Sequence, residues 1–180
     1  MPNDYEYGKR LSESYIAETF ESEFPAVTGR AVEILSEGES PDRIALIDGK
    51  ETGIELTAIH AGSAEDIVAE IHRLASQKHT SYERRGIFQG GPIILLGHLD
   101  WSARNVEGPA LYDVYEELEH SFDASDFAGF GFTEIWLMDD GLNIPHAKTH
   151  APQQTSSASL RQIKLGSGSA KENADHIGLS

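Results

Sequence analysis

Hydrophobic and polar residues alternate along the first third of the chain in patterns that predict one helix followed by three strands. Between residues 7 and 24 the large apolar side chains recur at helical spacing, which predicts a helix that ends at Pro25. Apolar runs rich in β-branched residues follow at 29–35, 43–47 and 53–59. Polar segments that contain glycine separate these runs, so we expect three successive strands.

The connection between the second and third predicted strands carries a hairpin signal. Asp48 and Gly49 stand between the two apolar runs, and an Asp-Gly pair supplies the positive φ angles that tight hairpin turns need. The polar connection is longer than this pair and leaves the turn type open. We expect residues 43–47 to pair with residues 53–59 across it.

The next part of the chain alternates between helices and strands. Residues 60–82 predict a second helix with Ser63 as its N-cap. Residues 90–100 contain a continuous apolar run bounded by glycines, which is typical of a central strand covered on both faces. A third helix is predicted at 109–122 and a further strand at 132–138.

This order of elements predicts an α/β fold with a mixed central sheet flanked by helices. A chain of 180 residues that is 39% hydrophobic is expected to form one domain, at residues 1–145. From residue 146 onward large apolar side chains are few, so 146–180 is predicted to be a flexible or peripheral tail. A short helix is predicted within it, near Ser159 to Leu165.

The chain is strongly acidic, with a net charge of -16. Residues 1–150 hold 11 Lys and Arg against 28 Asp and Glu, so the acidity belongs to the predicted domain. Broad basic surfaces of the kind that bind nucleic acid without specificity are therefore not expected. An acidic protein can act on nucleic acid when divalent cations neutralise its site, or it can bind a basic partner.

Several other classes of protein are disfavoured by the sequence. The absence of cysteine rules out disulfides and thiolate metal sites. No His-Glu-x-x-His, P-loop or Gly-x-Ser-x-Gly motif is present. No apolar run approaches the roughly 20 residues that span a bilayer, and the polar amino terminus lacks a signal-peptide pattern. A soluble, cytoplasmic protein without membrane contact is expected.

Two carboxylates form the main candidate for a chemical site. Asp42 stands at the entrance to the second strand and Glu55 lies within the third, so hairpin pairing brings them together. Two neighbouring carboxylates repel each other, and a bound Mg²⁺ or Mn²⁺ relieves that repulsion. The alternative is that Asp42 only begins a turn after Pro41 and that Glu55 lies on a solvated face.

Lys78 strengthens the metal hypothesis, because it falls on the apolar stripe of the second predicted helix. That stripe consists of Ile67, Ile71, Leu74, Ala75 and Tyr82. A lysine in this register either extends to the rim of the core or meets an acid. Glu55 lies on the preceding strand, so we expect Lys78 to approach it.

The combined pattern resembles the PD-(D/E)XK nuclease superfamily, over about residues 8 to 140. Pro41-Asp42 matches the first motif of that family, and Glu55-Leu56-Thr57 matches the second except that Thr57 replaces the usual lysine. In some members the lysine comes from the following helix, and helicase-nuclease relatives carry Gln-x-x-x-Tyr there. Lys78 and Tyr82 have that spacing, with lysine in place of glutamine.

The resemblance implies a restriction-endonuclease-like αβββαβ core and a metal-dependent phosphodiesterase, or nuclease, that acts on DNA or RNA. Asp42, Glu55 and the carbonyl of Leu56 are implied to bind Mg²⁺ or Mn²⁺. Lys78 is implied to orient the attacking water or to stabilise the pentavalent phosphorus, with Thr57 as a hydrogen-bonding neighbour of the metal-bound water.

Three further residues are candidates around this site, and a fourth is held in reserve. Members of the family often add a glutamate from the first helix, and helical geometry selects Glu13, with Glu23 as the reserve. A solvated position at the edge of the helix is the alternative for both glutamates. Tyr82 and His60 are predicted on the substrate side, and a surface histidine is the alternative for His60.

A second function class stays open, that of a catalytically inactive module that binds protein or nucleic acid through the same fold. The acidity of the chain and the missing strand lysine at Thr57 favour this class, whereas Lys78 on the apolar stripe favours catalysis. A homo-oligomer or a protein partner is compatible with either class.

Overall fold

A computed structural model of the protein describes residues 4–60, 63–99, 127–139 and 159–163. Two helices lie in these ranges, α1 at Asp4–Thr28 and α2 at Ala64–Arg85. The strands are β1 at Val32–Glu37, β2 at Arg43–Ile47, β3 at Lys50–Ile59, β4 at Ile93–Leu99, β5 at Glu134–Asp139 and β6 at Ser159–Ile163. The helix predicted at 109–122 lies outside the described residues.

The strands form one mixed sheet in the order β1-β2-β3-β4-β5-β6. The neighbours β1, β2 and β3 pair antiparallel, β3, β4 and β5 pair parallel, and β6 returns antiparallel to β5. Helix α2 connects the parallel strands β3 and β4, as such crossovers require. The predicted α/β class with a mixed central sheet is confirmed.

Within the described ranges one helix covers each face of the sheet, and two separate apolar cores result. Helix α1 buries Ile16, Phe20 and Phe24 against a face that includes Ile54, Leu56, Leu96 and Trp136. Helix α2 packs on the opposite face, against residues that include Ile59, Leu95, Ile135 and Leu137. Strand β4 is buried along its whole length, as expected for a strand covered on both faces.

The β2–β3 hairpin turns more tightly than the sequence suggests. Asp48 and Gly49 form a two-residue turn in which both residues have positive φ, 51° and 77°, as a type I′ turn requires. Strand β3 therefore begins at Lys50, and residues 43–47 pair with 50–54. The expected pairing of 43–47 with 53–59 is wrong, because the connection is shorter than the polar segment.

Helix α1 continues through Pro25, so the prediction that it ends there is wrong. Only one turn follows the proline, and the hydroxyl of Thr28 donates to the carbonyl of Phe24 within it. Phe24 is fully buried and contacts Trp136 edge to face, so core packing holds this turn in place.

None of the helices in the described part of the chain combines the length and the apolar character that a membrane span needs, and this includes α1 with its 25 residues.

Residues 159–163 form a strand, which contradicts the short helix predicted there. The segment pairs with the exposed edge of β5, with Leu160 opposite Met138, and the side chain of Leu160 is buried in the core beneath α1. Pairing with a distant strand overrides the local helical tendency. The sheet thus includes residues beyond the predicted domain boundary at 145.

Candidate active site

The site lies just before the first residue of β2, where β3 continues past its pairing with β2. The last pair of the β2–β3 ladder joins Arg43 to Ile54, so Asp42 lies beside Glu55. The Oδ2 atom of Asp42 accepts a hydrogen bond of 2.8 Å from the backbone N–H of Leu56. The Asp42 carboxylate therefore accepts the hydrogen bond that a backbone carbonyl would accept if the β2–β3 pairing continued by one more residue. The N–H and C=O of one strand residue point to the same edge, so the carbonyl of Leu56 faces this side as well.

The segment before β2 is held close to β3 by a glycine. A Cβ atom on Gly53 would lie 2.5 Å from Cγ of Pro41 and 3.2 Å from its Cβ, so only glycine admits the proline ring at this distance. The N–H of Gly38 donates to the carbonyl of Asp42 at 2.9 Å and closes the loop on its other side. These contacts fix the backbone that carries the Asp42 carboxylate.

Glu55 is buried in the third strand, and two side chains of α2 contact its carboxylate. The ammonium of Lys78 donates to Oε1 and the hydroxyl of Tyr82 donates to Oε2. Lys78 and Tyr82 are four residues apart and therefore share one face of the helix. The expectation that Lys78 approaches Glu55 is confirmed, and the pairing explains how a carboxylate is tolerated inside a central strand.

The electrostatics of the site are dominated by the two carboxylates. Burial raises the pKa of the Asp42 carboxyl, and the nearby charge of Glu55 raises it further. The hydrogen bond from Leu56 and the ammonium groups of Lys78 and Lys9 act in the opposite direction. Burial and the hydrogen bond to Glu55 raise the pKa of the Tyr82 hydroxyl, so Tyr82 stays protonated and can donate. The repulsion at Asp42 is the kind that a bound cation relieves.

An open cavity of about 590 Å³ adjoins these groups, a volume within the usual range of ligand pockets. Helix α1 forms one wall, the end of β3 forms another, and Lys78 enters from α2. The lining residues are Gly8, Lys9, Ser12, Glu13, Ile16, Asp42, Leu56, Thr57, Ala58 and Lys78. Asp42 and Lys78 therefore face a space that a substrate can enter.

Of the other predicted site residues, two line this cavity and three lie outside its lining. Glu13 and Thr57 line it, and Glu13 also forms an ion pair of 3.4 Å with Lys9. Tyr82 was predicted on the substrate side, but it is buried behind Glu55 and does not line the cavity. His60 is exposed at the end of β3, outside the cavity lining. The reserve residue Glu23 also lies outside that lining.

Two features of the site were missed by the sequence reasoning. Lys9 and Ser12 line the cavity from the first turns of α1. The i, i+4 spacing of Lys9 and Glu13 was a visible signal, because it places both side chains on one helical face. Gly53 carried no such signal, since its contact with Pro41 depends on the hairpin register.

Comparison of this chain with protein-family models, with curated proteins and with solved structures gave no match. The site is therefore interpreted from its own geometry and chemistry. Its central feature is a pair of carboxylates, one buried and one facing the cavity, with a lysine between the buried carboxylate and the solvent.

The donor set at the cavity suits a hard divalent cation. Among the residues that the structure describes, no group of three or more His, Cys, Asp or Glu side chains is arranged to hold a metal. The Asp42 carboxylate lines the cavity, and the Glu55 carboxylate lies beside it with both oxygens in contact with Lys78 and Tyr82. The donor atoms of these carboxylates and of the Leu56 carbonyl are all oxygens. Mg²⁺ is commonly held by one or two carboxylates and completes its octahedron with water. The residues present therefore fit Mg²⁺ or Mn²⁺.

Proposed function

We propose that the protein is a metal-dependent phosphodiesterase that hydrolyses DNA or RNA. The observation that carries this proposal is the joint placement of Asp42, Glu55 and Lys78 at the middle of β3, with Asp42 and Lys78 lining a cavity. Two carboxylates could hold a cation that activates water, and an ammonium group next to a space for a phosphate could stabilise charge there, which together suit metal-assisted hydrolysis.

The fold supports the same proposal. The described elements run α, β, β, β, α, β before β5, with an antiparallel hairpin and then a parallel strand joined through α2. We propose that this part is a restriction-endonuclease-like core of the PD-(D/E)XK superfamily. The cytoplasm is the location that we propose for such an enzyme.

Asp42, Glu55 and the Leu56 carbonyl would hold Mg²⁺ or Mn²⁺, with Glu13 as a further carboxylate on the α1 wall. When bound, the cation would lower the pKa of a coordinated water and neutralise charge on the phosphate. Thr57, which is half-buried in the cavity lining, offers a hydroxyl for a hydrogen bond to that water.

Lys78 would act as both a positioning and a catalytic group. Its ammonium contacts Glu55, and its side chain also lines the cavity. From this position it can orient an attacking water or stabilise the negative charge that develops on the phosphate. Tyr82 would hold the second oxygen of Glu55 and so fix the orientation of that carboxylate. The lysine missing at Thr57 would thus be replaced from α2.

The second candidate function is a non-catalytic module that binds protein or nucleic acid. The observation that favours it is that Lys78 and Tyr82 already engage both oxygens of Glu55, so the buried charge is compensated without a metal ion. In that case the carboxylate would be a structural group, and the cavity would bind a partner without cleaving it.

A divalent-cation titration tests the proposed site. We expect Mg²⁺ or Mn²⁺ at millimolar concentration to raise the Tm of the wild type by a few degrees, since a ligand that binds only the folded state stabilises it. The increase should disappear in Asp42→Asn. The matched control is Glu51→Gln, which removes an exposed carboxylate from the same hairpin and should retain the increase. A response that survives in both Asp42→Asn and Glu55→Gln would place the cation elsewhere.

A cleavage assay tests the activity itself. Labelled single-stranded and double-stranded DNA and RNA are incubated with Mg²⁺ or Mn²⁺ and either the wild type or Lys78→Gln. We expect cleavage by the wild type and a loss of about 10²-fold or more in the variant, as for other groups that stabilise transition-state charge. Circular dichroism of the variant checks that it is folded. Failure of the wild type to cleave any substrate would favour the binding module.

A further inference from the structure

The cavity receives one cationic side chain from each helix. Lys9 of α1 and Lys78 of α2 both line it, although the two helices pack on opposite faces of the sheet. The side chain of Lys9 is 64% exposed and that of Lys78 is 36% exposed, so each can reach a ligand in the cavity.

These two lysines are the cationic groups of the cavity lining, and they balance Glu13 and Asp42. Elsewhere in the described part, Arg30 forms ion pairs with Glu134 and Asp48, Arg73 pairs with Glu70, and Arg43 is buried near Glu37. Four other cationic side chains, Arg10, Lys50, Arg84 and Arg85, are exposed outside the cavity lining, but the described residues hold 19 Asp and Glu against 10 Lys and Arg, so positive charge away from the cavity is outnumbered.

The net charge of the whole chain is a further reason to expect phosphate binding only near the cavity. The net charge is -16, and the segment 100–126, which follows β4, holds one arginine against eight Asp and Glu. A long polyanion gains affinity from each phosphate that meets a lysine or arginine, and is repelled where its phosphates meet acids. Beyond one or two phosphates near the cavity, each further nucleotide should therefore add nothing or weaken binding.

We propose that the substrate is a short single strand of DNA or RNA, a few nucleotides long, whose phosphate lies between Lys9 and Lys78. This inference rests on the proposed function and narrows it from nucleic acid in general to short strands. It assigns Lys9 to substrate binding, a role that distinguishes it from the groups around Glu55. A cavity of about 590 Å³ has the size of a small-ligand site, so it can enclose one or two nucleotides of such a strand, and a duplex would have to bind outside it.

Binding is tested by fluorescence anisotropy with labelled single strands of about two, four, eight and sixteen nucleotides and with a duplex. The measurements are made in EDTA so that bound strands are not cleaved. We expect Kd to reach its lowest value at about four nucleotides, with log Kd changing with log salt at a slope of about 1, equivalent to one or two phosphates. A Kd that keeps falling with length, a slope of several units, or tighter binding of the duplex would overturn the inference.

The role of Lys9 is tested with a matched pair of variants. Lys9→Ala should weaken binding of the four-nucleotide strand by about tenfold, the effect of losing one charge-assisted hydrogen bond. Lys50→Ala makes the same charge change on the exposed turn at the far end of the hairpin and should leave Kd unchanged. Equal effects of the two variants would contradict the assignment of Lys9.

Cleavage of the same length series separates this inference from the proposed function. With Mg²⁺ or Mn²⁺ we expect kcat/KM per strand to be highest for the short single strands. Efficient cleavage of long strands or duplexes, at kcat/KM equal to or above that of the short ones, would overturn the inference while the phosphodiesterase function stands. Failure to bind and cleave every length would overturn the proposed function, and the inference with it.

Discussion

The ammonium of Lys78 on α2 contacts the carboxylate of Glu55 on β3, 23 residues earlier in the chain. The two partners differ in environment, because the side chain of Glu55 is 2% exposed whereas that of Lys78 is 36% exposed. Loss of the lysine would leave a charge in the core, and loss of the glutamate would leave a charge that can turn to solvent. The pair should therefore respond asymmetrically to substitution.

We expect Lys78→Met to lower the free energy of unfolding by about 3 kcal/mol, and Glu55→Gln to lower it by about 1 kcal/mol. Urea unfolding in EDTA measures both. The control Arg73→Ala removes a positive charge from an exposed ion pair on the same helix, and it should not measurably change the free energy of unfolding. Equal losses for Lys78→Met and Glu55→Gln would show that the burial of Glu55 does not determine how much each substitution destabilises the fold.

Tyr82 is predicted to stabilise the fold through its hydroxyl. The substitution Tyr82→Phe keeps the buried ring and removes the donor to Glu55, so one oxygen of a buried carboxylate loses its partner. We expect a loss of about 1.5–3 kcal/mol, the usual effect of removing a hydrogen bond to a charged group. Tyr15→Phe, on the exposed side of α1, should have no effect on the urea midpoint. A neutral result for Tyr82→Phe would mean that Glu55 Oε2 finds another donor.

The raised pKa of Asp42 gives a pH dependence with a definite sign. An acid whose pKa is higher in the folded state binds more protons when folded, so stability falls as pH rises from its ordinary value of 3.8 to the folded value. Above that window the ionised carboxylate imposes a constant penalty. Asn at position 42 can still accept the hydrogen bond from Leu56 and carries no charge. Without metal, Asp42→Asn should therefore be more stable than the wild type at neutral pH.

The measurement is Tm against pH for the wild type and Asp42→Asn in EDTA. The difference between the two proteins should be smallest at the acidic end and should grow as pH rises through the window. Other carboxylates titrate in both proteins and cancel in the difference. A wild type that is the more stable protein at neutral pH would contradict the cause assigned to the shift, namely burial and repulsion by Glu55.

Gly53 is predicted to be essential for the position of Asp42. In Gly53→Ala the new methyl group would overlap the ring of Pro41, so the loop before β2 must move away from β3. We expect a loss of about 1–3 kcal/mol together with loss of the metal-dependent rise in Tm. Gly129→Ala, where a Cβ meets nothing within 4 Å, is the matched control and should retain that rise. Retention of the rise in Gly53→Ala would show that the loop adapts without displacing Asp42.

Elements whose cause lies within a few residues of the chain could be predicted from the amino-acid sequence. The N-cap at Ser63, the Asp48-Gly49 turn and the buried run of β4 follow from local hydrogen bonding, backbone φ preference and hydrophobic pattern. The same local rules predicted the contact between Lys78 and Glu55, because helical periodicity fixed the face on which the lysine lies and the preceding strand carried the acid. These features need no knowledge of distant partners.

Tertiary structure decided the features that depend on residues far apart in the chain. The continuation of α1 past Pro25 depends on Phe24 packing against Trp136, and β6 forms because the edge of β5 offers it hydrogen-bonding partners. Tyr82 lies behind Glu55, and Lys9 lies in the cavity, because of how α2 and α1 pack on the two faces of the sheet. Local propensities differ by less than the free energy of such packing, so tertiary contacts determined the outcome at these positions.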